Sequence, residues 1–415
     1  MKFLHAADIH LDSPLKGLAS NDRIPGDITR HCTRRAFSNL IDLAIAEDVA
    51  FLIIAGDLYD GDWRDYSTGL FFIREMHRLA RPCFLIRGNH DARSLITRNL
   101  TLPDNVREFS SRAAQTIHLP EHRVALHGRS FPDRTVPEDL SVAYPDRVPD
   151  CLNIGLLHTS AEDPAGEHDT YAPCRIEGLI AKGYDYWALG HIHQRATLHP
   201  GEPWIVFPGN LQGRHAHEPG GKGATLVTVR DGAIVGVEHR DLDVLRWAAV
   251  DVDLTDTETM AEVAAKLRFE LEAATRQADG RPLIVRVTLT GATACHGALA
   301  ADPHAIDAET RAAAAGISGM LHVEKLRLRT TPPPRLAYQD DDLAVLRRTF
   351  LDALDDPDIA RRLLAEFAAL DGLVPAADRN RARPPLDADQ LRALAGDAWA
   401  VIETRLAEDA TKGAI

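Results

Sequence analysis

Apolar runs of strand length recur along the first part of the chain, and each stops at a small polar cluster. Lys2 to Ala7 runs into Asp8-Ile9-His10, Ala50 to Ala55 into Gly56-Asp57-Leu58-Tyr59-Asp60, and Cys83 to Ile86 into Arg87-Gly88-Asn89-His90-Asp91. Farther on, Leu152 to Leu157 ends at His158, and Tyr184 to Leu189 ends at Gly190-His191-Ile192-His193. Runs this continuously apolar belong to strands covered on both faces. Between the first three lie helical patterns: Ala36, Phe37, Leu40, Leu43 and Ala44 recur at helix spacing, and Tyr66 to Leu79 forms a second helix before Pro82. Alternation of strand and helix predicts parallel strands with helical crossovers. In such sheets the ligand-bearing strand ends share one edge, so Asp8, Asp57 and Asn89 are expected to converge.

The pattern changes near residue 240. Trp204 to Phe207 and Ala224 to Val229 are still strands, and Asp231-Gly232 suits a hairpin turn into Ala233 to Glu238. A smaller unit then begins, with strands at Ala248 to Leu254 and Leu283 to Thr290, a helix presenting Met260, Val263, Ala264, Leu267 and Leu271, a helix near Ala305 to Ala315, and a last strand ending at Arg329. Thr330-Thr331-Pro332-Pro333-Pro334 is a stiff break. Beyond it the apolar positions Leu343, Leu346, Phe350, Leu354, Leu363, Phe367, Leu370, Leu391, Leu394, Ile402 and Leu406 read as helical. The expected organisation is an α/β domain over residues 1–240, a small α/β capping domain over 245–330 and a helical C-terminal region over 335–415.

Composition narrows the class. The 415 residues are 45% hydrophobic and 26% charged, which suits a globular chain of several domains. No apolar run approaches the roughly 18 residues of a membrane span, and no basic segment followed by an apolar core opens the chain, so a cytoplasmic address without a membrane is expected. The five cysteines are scattered and never spaced as CxxC, which argues for reduced thiols and against a zinc knuckle. A net charge of −14 argues against a protein that coats nucleic acid by itself, though not against an enzyme that meets phosphates through metal ions or a partner.

The strand-end residues are Asp8, His10, Asp57, Asn89, His90, His158, His191 and His193. This mixture of carboxylate, amide and imidazole without thiolate suits two divalent ions such as manganese. A shared carboxylate holds two cations close enough to polarise phosphoryl oxygens and to acidify water at neutral pH. Asn89 offers a neutral oxygen, while His90, one residue along, is free to face a substrate. Taken singly, each cluster is equally a capped turn or a solvated loop.

Taken together, Asp8-x-His10, Gly56-Asp57-x-x-Asp60, Gly88-Asn89-His90-Asp91, His158 and Gly190-His191-x-His193 resemble the signature of the calcineurin-like metallophosphoesterases over roughly residues 1–240. Leu157-His158-Thr159-Ser160, Tyr171-Ala172-Pro173-Cys174, Gly183 to Gln194 and Phe207 to Arg214 are similar to the bacterial YhaO-type DNA repair exonucleases, relatives of the SbcD nuclease subunit. The resemblance implies a metallophosphoesterase sheet sandwich flanked by helices. It implies one metal held by Asp8, His10, Asp57 and His193, and a second held by Asp57, Asn89, His158 and His191, both most consistent with Mn²⁺. It gives His90 a role at the transition state or leaving oxygen, with Asp91 orienting its ring. Some archaeal and eukaryotic relatives carry a second histidine where this chain has Tyr59-Asp60, so Asp60 is either an acceptor behind the site or a plain turn residue.

The implied activity is metal-dependent exonuclease or endonuclease cleavage of DNA in repair, with an SMC-like coiled-coil ATPase as partner. Hydrolysis of small nucleotides or phosphoproteins is the alternative, since the motifs leave the substrate open. A homodimer through Tyr66 to Leu79, with Phe71 and Phe72, and partner docking through the tail after Pro334 are further implications, each set against simple self-packing. Arg327, Arg329 and the Arg214-His215 neighbourhood are candidate contacts to a DNA backbone.

Overall fold

The computed structural model describes residues 1–15, 18, 24, 26–29, 31–60, 66–93, 101–161, 171–333 and 342–372, with scattered positions from 387 to 402. The expected Leu406 lies outside the described residues. Among them, no helix is long and apolar enough to cross a membrane.

Two six-stranded mixed sheets dominate the first part of the chain. In one, β1 (Lys2–Ala6), β2 (Phe51–Ala55), β3 (Cys83–Ile86) and β4 (Val106–Glu108) run parallel, and β11 (Gly223–Arg230) and β12 (Ala233–Asp241) add antiparallel to β1. In the other, β6 (Val124–Gly128), β7 (Leu152–His158), β8 (Tyr186–Gly190) and β10 (Trp204–Phe207) run parallel, with β5 (Gln115–Leu119) and β9 (Ala196–His199) antiparallel at its edges. A third sheet orders β13 (Arg246–Asp253), β14 (Leu283–Ala292) and β15 (Leu321–Thr331).

The alternation of side chains explains the continuous apolar runs. Phe3, Phe51, Ile53, Phe84 and Ile86 pack between the two large sheets against Ile154, Leu156, Tyr186 and Ala188. Their neighbours Leu4, Ala6, Leu52 and Ile54 point the other way, onto Phe37, Leu40 and Ile41 of the helix Cys32–Ala46 and Phe72 and Met76 of the helix Tyr66–Leu79. Trp187, Leu189, Ile205 and Phe207 cover the outer face of the second sheet with Phe131, Tyr144 and Leu179. The central strands of both sheets are thus buried on both faces, as the expected α/β sandwich requires, while β5, β9 and β12 at the edges are partly exposed. Phe71 and Phe72, weighed above between a dimer face and self-packing, are buried in this core, while Tyr66 and Leu70 are exposed apolar residues of the same helix.

The chain divides into two compact units, one comprising Met1–Ala248, Thr275–Val285 and Met320–Glu324, the other Ala249–Ala274, Arg286–Gly319 and Lys325–Ile415. In the second, the helix Met260–Gln277 buries Val263, Leu267 and Leu271, and the helix Pro303–Ile317 buries Ile306, Thr310 and Ala314. The helices Asp342–Asp352 and Pro357–Gly372 give the C-terminal region its helical character.

Candidate metal centre

The polar clusters lie where β1, β2, β3, β7 and β8 end, all within the first unit. Past their strands, the first two loops continue side by side: the N–H groups of Asp8, His10 and Leu11 donate to the carbonyls of Gly56, Asp57 and Leu58 at 3.1, 3.0 and 2.9 Å. The backbone then turns into positive φ at Asp8 (50°), His10 (45°), Asp57 (52°) and His191 (105°). Asp and His enter that region more readily than most residues, at a cost of order 1–3 kcal/mol each, and such strain gathers at functional sites. Glycines allow the loops to close in. A Cβ on Gly190 would meet the Ala55 carbonyl at 1.9 Å, and one on Gly88 would meet Asp57 Oδ1 at 2.2 Å and the His158 ring at 2.7 Å.

The two sheets deliver their ligands from opposite sides. Asp57 is central: its Oδ1 accepts from the His90 N–H at 2.9 Å, while Oδ2 lies 3.5 Å from His158 Nε2 and 3.8 Å from His10 Nε2. His193 Nε2 sits 3.3 Å from His10 Nε2 and 3.9 Å from Asp8 Oδ1. Both Asp8 carboxylate oxygens accept from the His191 N–H, at 3.1 and 2.9 Å. The His191 ring stands edge-on to His158 and Tyr171. Asp8, His10 and His193, and likewise Asp8, Asp57 and His158, each bring potential ligand atoms within 4.8 Å of one another.

Protonation follows from the partners. A carbonyl only accepts, so the 2.9 Å contact between His158 Nδ1 and the Ala55 carbonyl puts the proton on Nδ1 and a lone pair on Nε2. Burial lowers the His158 pKa to about 3, so the ring is neutral. Its Nε2 then faces Asn89 Oδ1 at 3.0 Å and Asp57 Oδ2 at 3.5 Å, three acceptors with no hydrogen among them. His193 is arranged in the same way, with Nδ1 on Glu218 Oε1 at 2.6 Å and Nε2 turned to His10. His10 Nδ1 is buried without a hydrogen-bond partner.

The carboxylates press in the same direction. Burial, and then the charge of Asp57, push Asp8 well above its ordinary value, and burial raises Asp57 as well, against the pull of His90. Neutral imidazoles, converging lone pairs and repelling buried carboxylates fit divalent cations, which would satisfy all of these donors at once. A cavity of about 1040 Å³ lined by Met1, Arg123, Arg147, Cys151 and Val229 lies at the opposite strand ends and contains none of these residues.

Two expectations need correction. Asp91 does not orient His90: its carboxylate accepts from the backbone N–H groups of Leu58, Tyr59 and Gly88 at 3.1, 2.8 and 3.2 Å, clamping the second and third loops together. Asp60 holds the His90 ring instead, through Nδ1 at 3.1 Å. Burial disfavours charge on His90, but Asp60 and Asp57 outweigh it and raise its pKa. Arg214, one of the candidate contacts to a DNA backbone, is neither DNA-facing nor solvated surface: it is 6% exposed and lies within the charged network behind His193. Arg327 is half-buried and Arg329 exposed.

Glu218 was not expected. Besides His193 it accepts from Asn210 Nδ2 at 2.9 Å and from the Arg214 N–H at 2.7 Å. Burial alone would raise its pKa, but the His193 hydrogen bond and the Arg214 charge hold it well below the usual carboxylate range. Its signal in the sequence is faint: an acid after a histidine-rich turn, His215-Ala216-His217-Glu218, with no strand before it.

A family profile for calcineurin-like phosphoesterases matches residues 1–195, and one for the middle domain of metallophosphoesterase YhaO matches residues 247–331. The chain is 34% identical over 301 residues to the uncharacterized metallophosphoesterase YhaO of Bacillus subtilis (strain 168), spanning 70% of this chain and 72% of that one. It is 27% identical over 286 residues to the DNA double-strand break repair protein Mre11 of Sulfurisphaera tokodaii, spanning 64% and 68% of the two chains. The protein of the same name from Sulfolobus acidocaldarius is 24% identical over 291 residues, spanning 65% and 71%.

Proposed function

The chain belongs to the calcineurin-like metallophosphoesterase family, with a YhaO-type middle domain, and from that premise we propose that it is a Mn²⁺-dependent DNA nuclease. The observation that carries this reading is the convergence of Asp57 Oδ2, Asn89 Oδ1 and His158 Nε2, three lone-pair groups that meet within about a hydrogen-bond length, with His10, His193 and Asp8 beside them. Relatives named for DNA double-strand break repair support DNA as the substrate.

Asp8, His10, Asp57 and His193 would hold one cation, and Asp57, Asn89, His158 and His191 the other. When bound, the pair supplies Lewis acidity toward a phosphodiester and toward the attacking water. The protein's own part is positional. His158 and His193 are locked in one tautomer by Ala55 and Glu218, so each turns Nε2 to the centre. His90, with Nδ1 on Asp60, offers Nε2 as the proton donor to the departing oxygen. Cytoplasmic DNA repair with an SMC-like ATPase is the setting we infer. The exposed Val345, Leu346 and Ile359 of the C-terminal helices support a docking role for that region.

Purified protein with Mn²⁺ is expected to degrade linear duplex or single-stranded DNA. Turnover of cyclic nucleotides or phosphopeptides with DNA left intact, with and without a coiled-coil ATPase, would refute the assignment to DNA.

A further inference from the structure

The residues behind the centre form one continuous chain of polar contacts. His193 Nδ1 meets Glu218 Oε1 at 2.6 Å, and Glu218 Oε2 accepts from the Arg214 N–H at 2.7 Å. The Arg214 guanidinium lies 3.5 Å from Glu218 Oε1 through Nη2 and donates to Ser13 Oγ at 3.3 Å through Nη1. Ser13 Oγ in turn donates to Asp60 Oδ2 at 2.8 Å, and Asp60 Oδ1 accepts from His90 Nδ1 at 3.1 Å. A ligand histidine delivered by the second sheet and the ring of His90, delivered by the first, are therefore joined by a path that bypasses the cations.

Each link has a reason. Ser13 follows the first loop, and its N–H donates to the His10 carbonyl at 3.0 Å, which fixes where its hydroxyl can reach. A hydroxyl accepts and donates at once, so Ser13 can take a hydrogen bond from a cation and pass one to a carboxylate. Arg214 is 6% exposed, and its Nε has no partner although buried. Keeping an incompletely satisfied guanidinium out of water is costly. Its planar fork, unlike a lysine ammonium, reaches Glu218 and Ser13 from fixed directions.

We propose that Ser13 and Arg214 are positioning residues, a brace that sets the His90 ring through Asp60 in register with His193 through Glu218. This rests on the reading of the site as a hydrolytic metal centre. The brace makes the proton donor and the metal ligand one mechanical unit, so loss of either middle link frees the His90 ring while leaving the substrate's own contacts in place.

The test uses the full-length protein, Mn²⁺ and bis(p-nitrophenyl) phosphate as a generic phosphodiester. Ser13→Ala, Arg214→Gln and Asp60→Asn are each expected to lower kcat about tenfold or more with KM within about twofold, the scale of losses behind a metal site. Arg214→Gln combined with Asp60→Asn is expected to be no worse than the poorer single variant, because both cut one chain. Ser13→Thr, which keeps the hydroxyl, is expected to retain most of kcat. In metal-free, histidine-¹⁵N-labelled protein, the His90 Nδ1–H resonance, assigned by its absence in His90→Gln, should be protected in the wild type and in Ser13→Thr and lost in Ser13→Ala. Losses that multiply in the double variant, or a His90 signal that survives Ser13→Ala, overturn the brace. A wild-type protein that cleaves no phosphodiester while the resonance behaves as described overturns the hydrolytic reading instead.

Discussion

Replacing Gly88 with alanine adds one methyl group beside the central carboxylate. Gly88 does not adopt positive φ, so the backbone accepts alanine and the effect is steric. The new Cβ would sit 2.2 Å from Asp57 Oδ1 and 2.7 Å from His158 Cε1 and Nε2, against a floor of 3.0 Å for real Cβ contacts. Neither neighbour can yield freely: Asp57 Oδ1 accepts from the His90 N–H at 2.9 Å, and His158 is pinned by the Ala55 carbonyl. Moving Asp57 aside sacrifices a buried hydrogen bond to a charged acceptor, about 1.5–3 kcal/mol. Converted at about 1.4 kcal/mol per decade, that is a roughly 10- to 150-fold loss of affinity for a cation that needs Asp57 in place. Calorimetric titration of metal-free protein with Mn²⁺ measures it directly. Gly236→Ala on β12, where a Cβ meets nothing nearer than 3.6 Å, should bind as the wild type does. Gly88→Ala binding Mn²⁺ within twofold of wild type would refute the reasoning.

The two acids near His90 should separate cleanly. Asp60→Asn should keep Mn²⁺ affinity but lower kcat about 10- to 100-fold, whereas Asp91→Ala, which orphans three buried N–H groups, should cost about 3 kcal/mol in urea unfolding; equal stability of the two variants would contradict these roles. Acidification should destabilise the metal-free protein through His5. Burial lowers the His5 pKa to about 3, while the unfolded chain takes that proton near 6.5. Between those values the unfolded state binds more protons, so the His5 contribution is intact above pH 6.5 and is lost as pH falls, at up to about 1.4 kcal/mol per unit. Unfolding curves from pH 7.5 to 5 should therefore show a shallower decline in His5→Gln, and an unchanged slope would count against a neutral buried ring.

The strand ends were legible because burial on both faces makes β1, β2, β3, β7 and β8 largely apolar, with His5 and Asn153 as buried exceptions, so the Asp, Asn or His where each run stops stands out. No apolar run marks β4, β5 or β9: β4 has three residues, and β5 and β9 are largely half-exposed and carry polar residues such as Gln115 and His199. β6 is wholly buried, but its apolar stretch is only Val124-Ala125-Leu126 before His127 and Gly128, too brief to stand out. The partner of His90 is not its sequence neighbour, for a geometric reason. Asp91 is adjacent in sequence, but its carboxylate turns back onto the backbone of two loops, and Asp60, 30 residues away, meets the ring. Glu218, Arg214 and Ser13 act only through the approach of loops from both sheets, which no local pattern encodes.

Anomalous diffraction at the manganese edge, from crystals grown with Mn²⁺, tests the central claim most directly. The account predicts two peaks flanking the Asp57 carboxylate, one against Asp8, His10 and His193, the other against Asn89, His158 and His191. A single peak, or peaks that leave Asp57 without a metal contact, would contradict it.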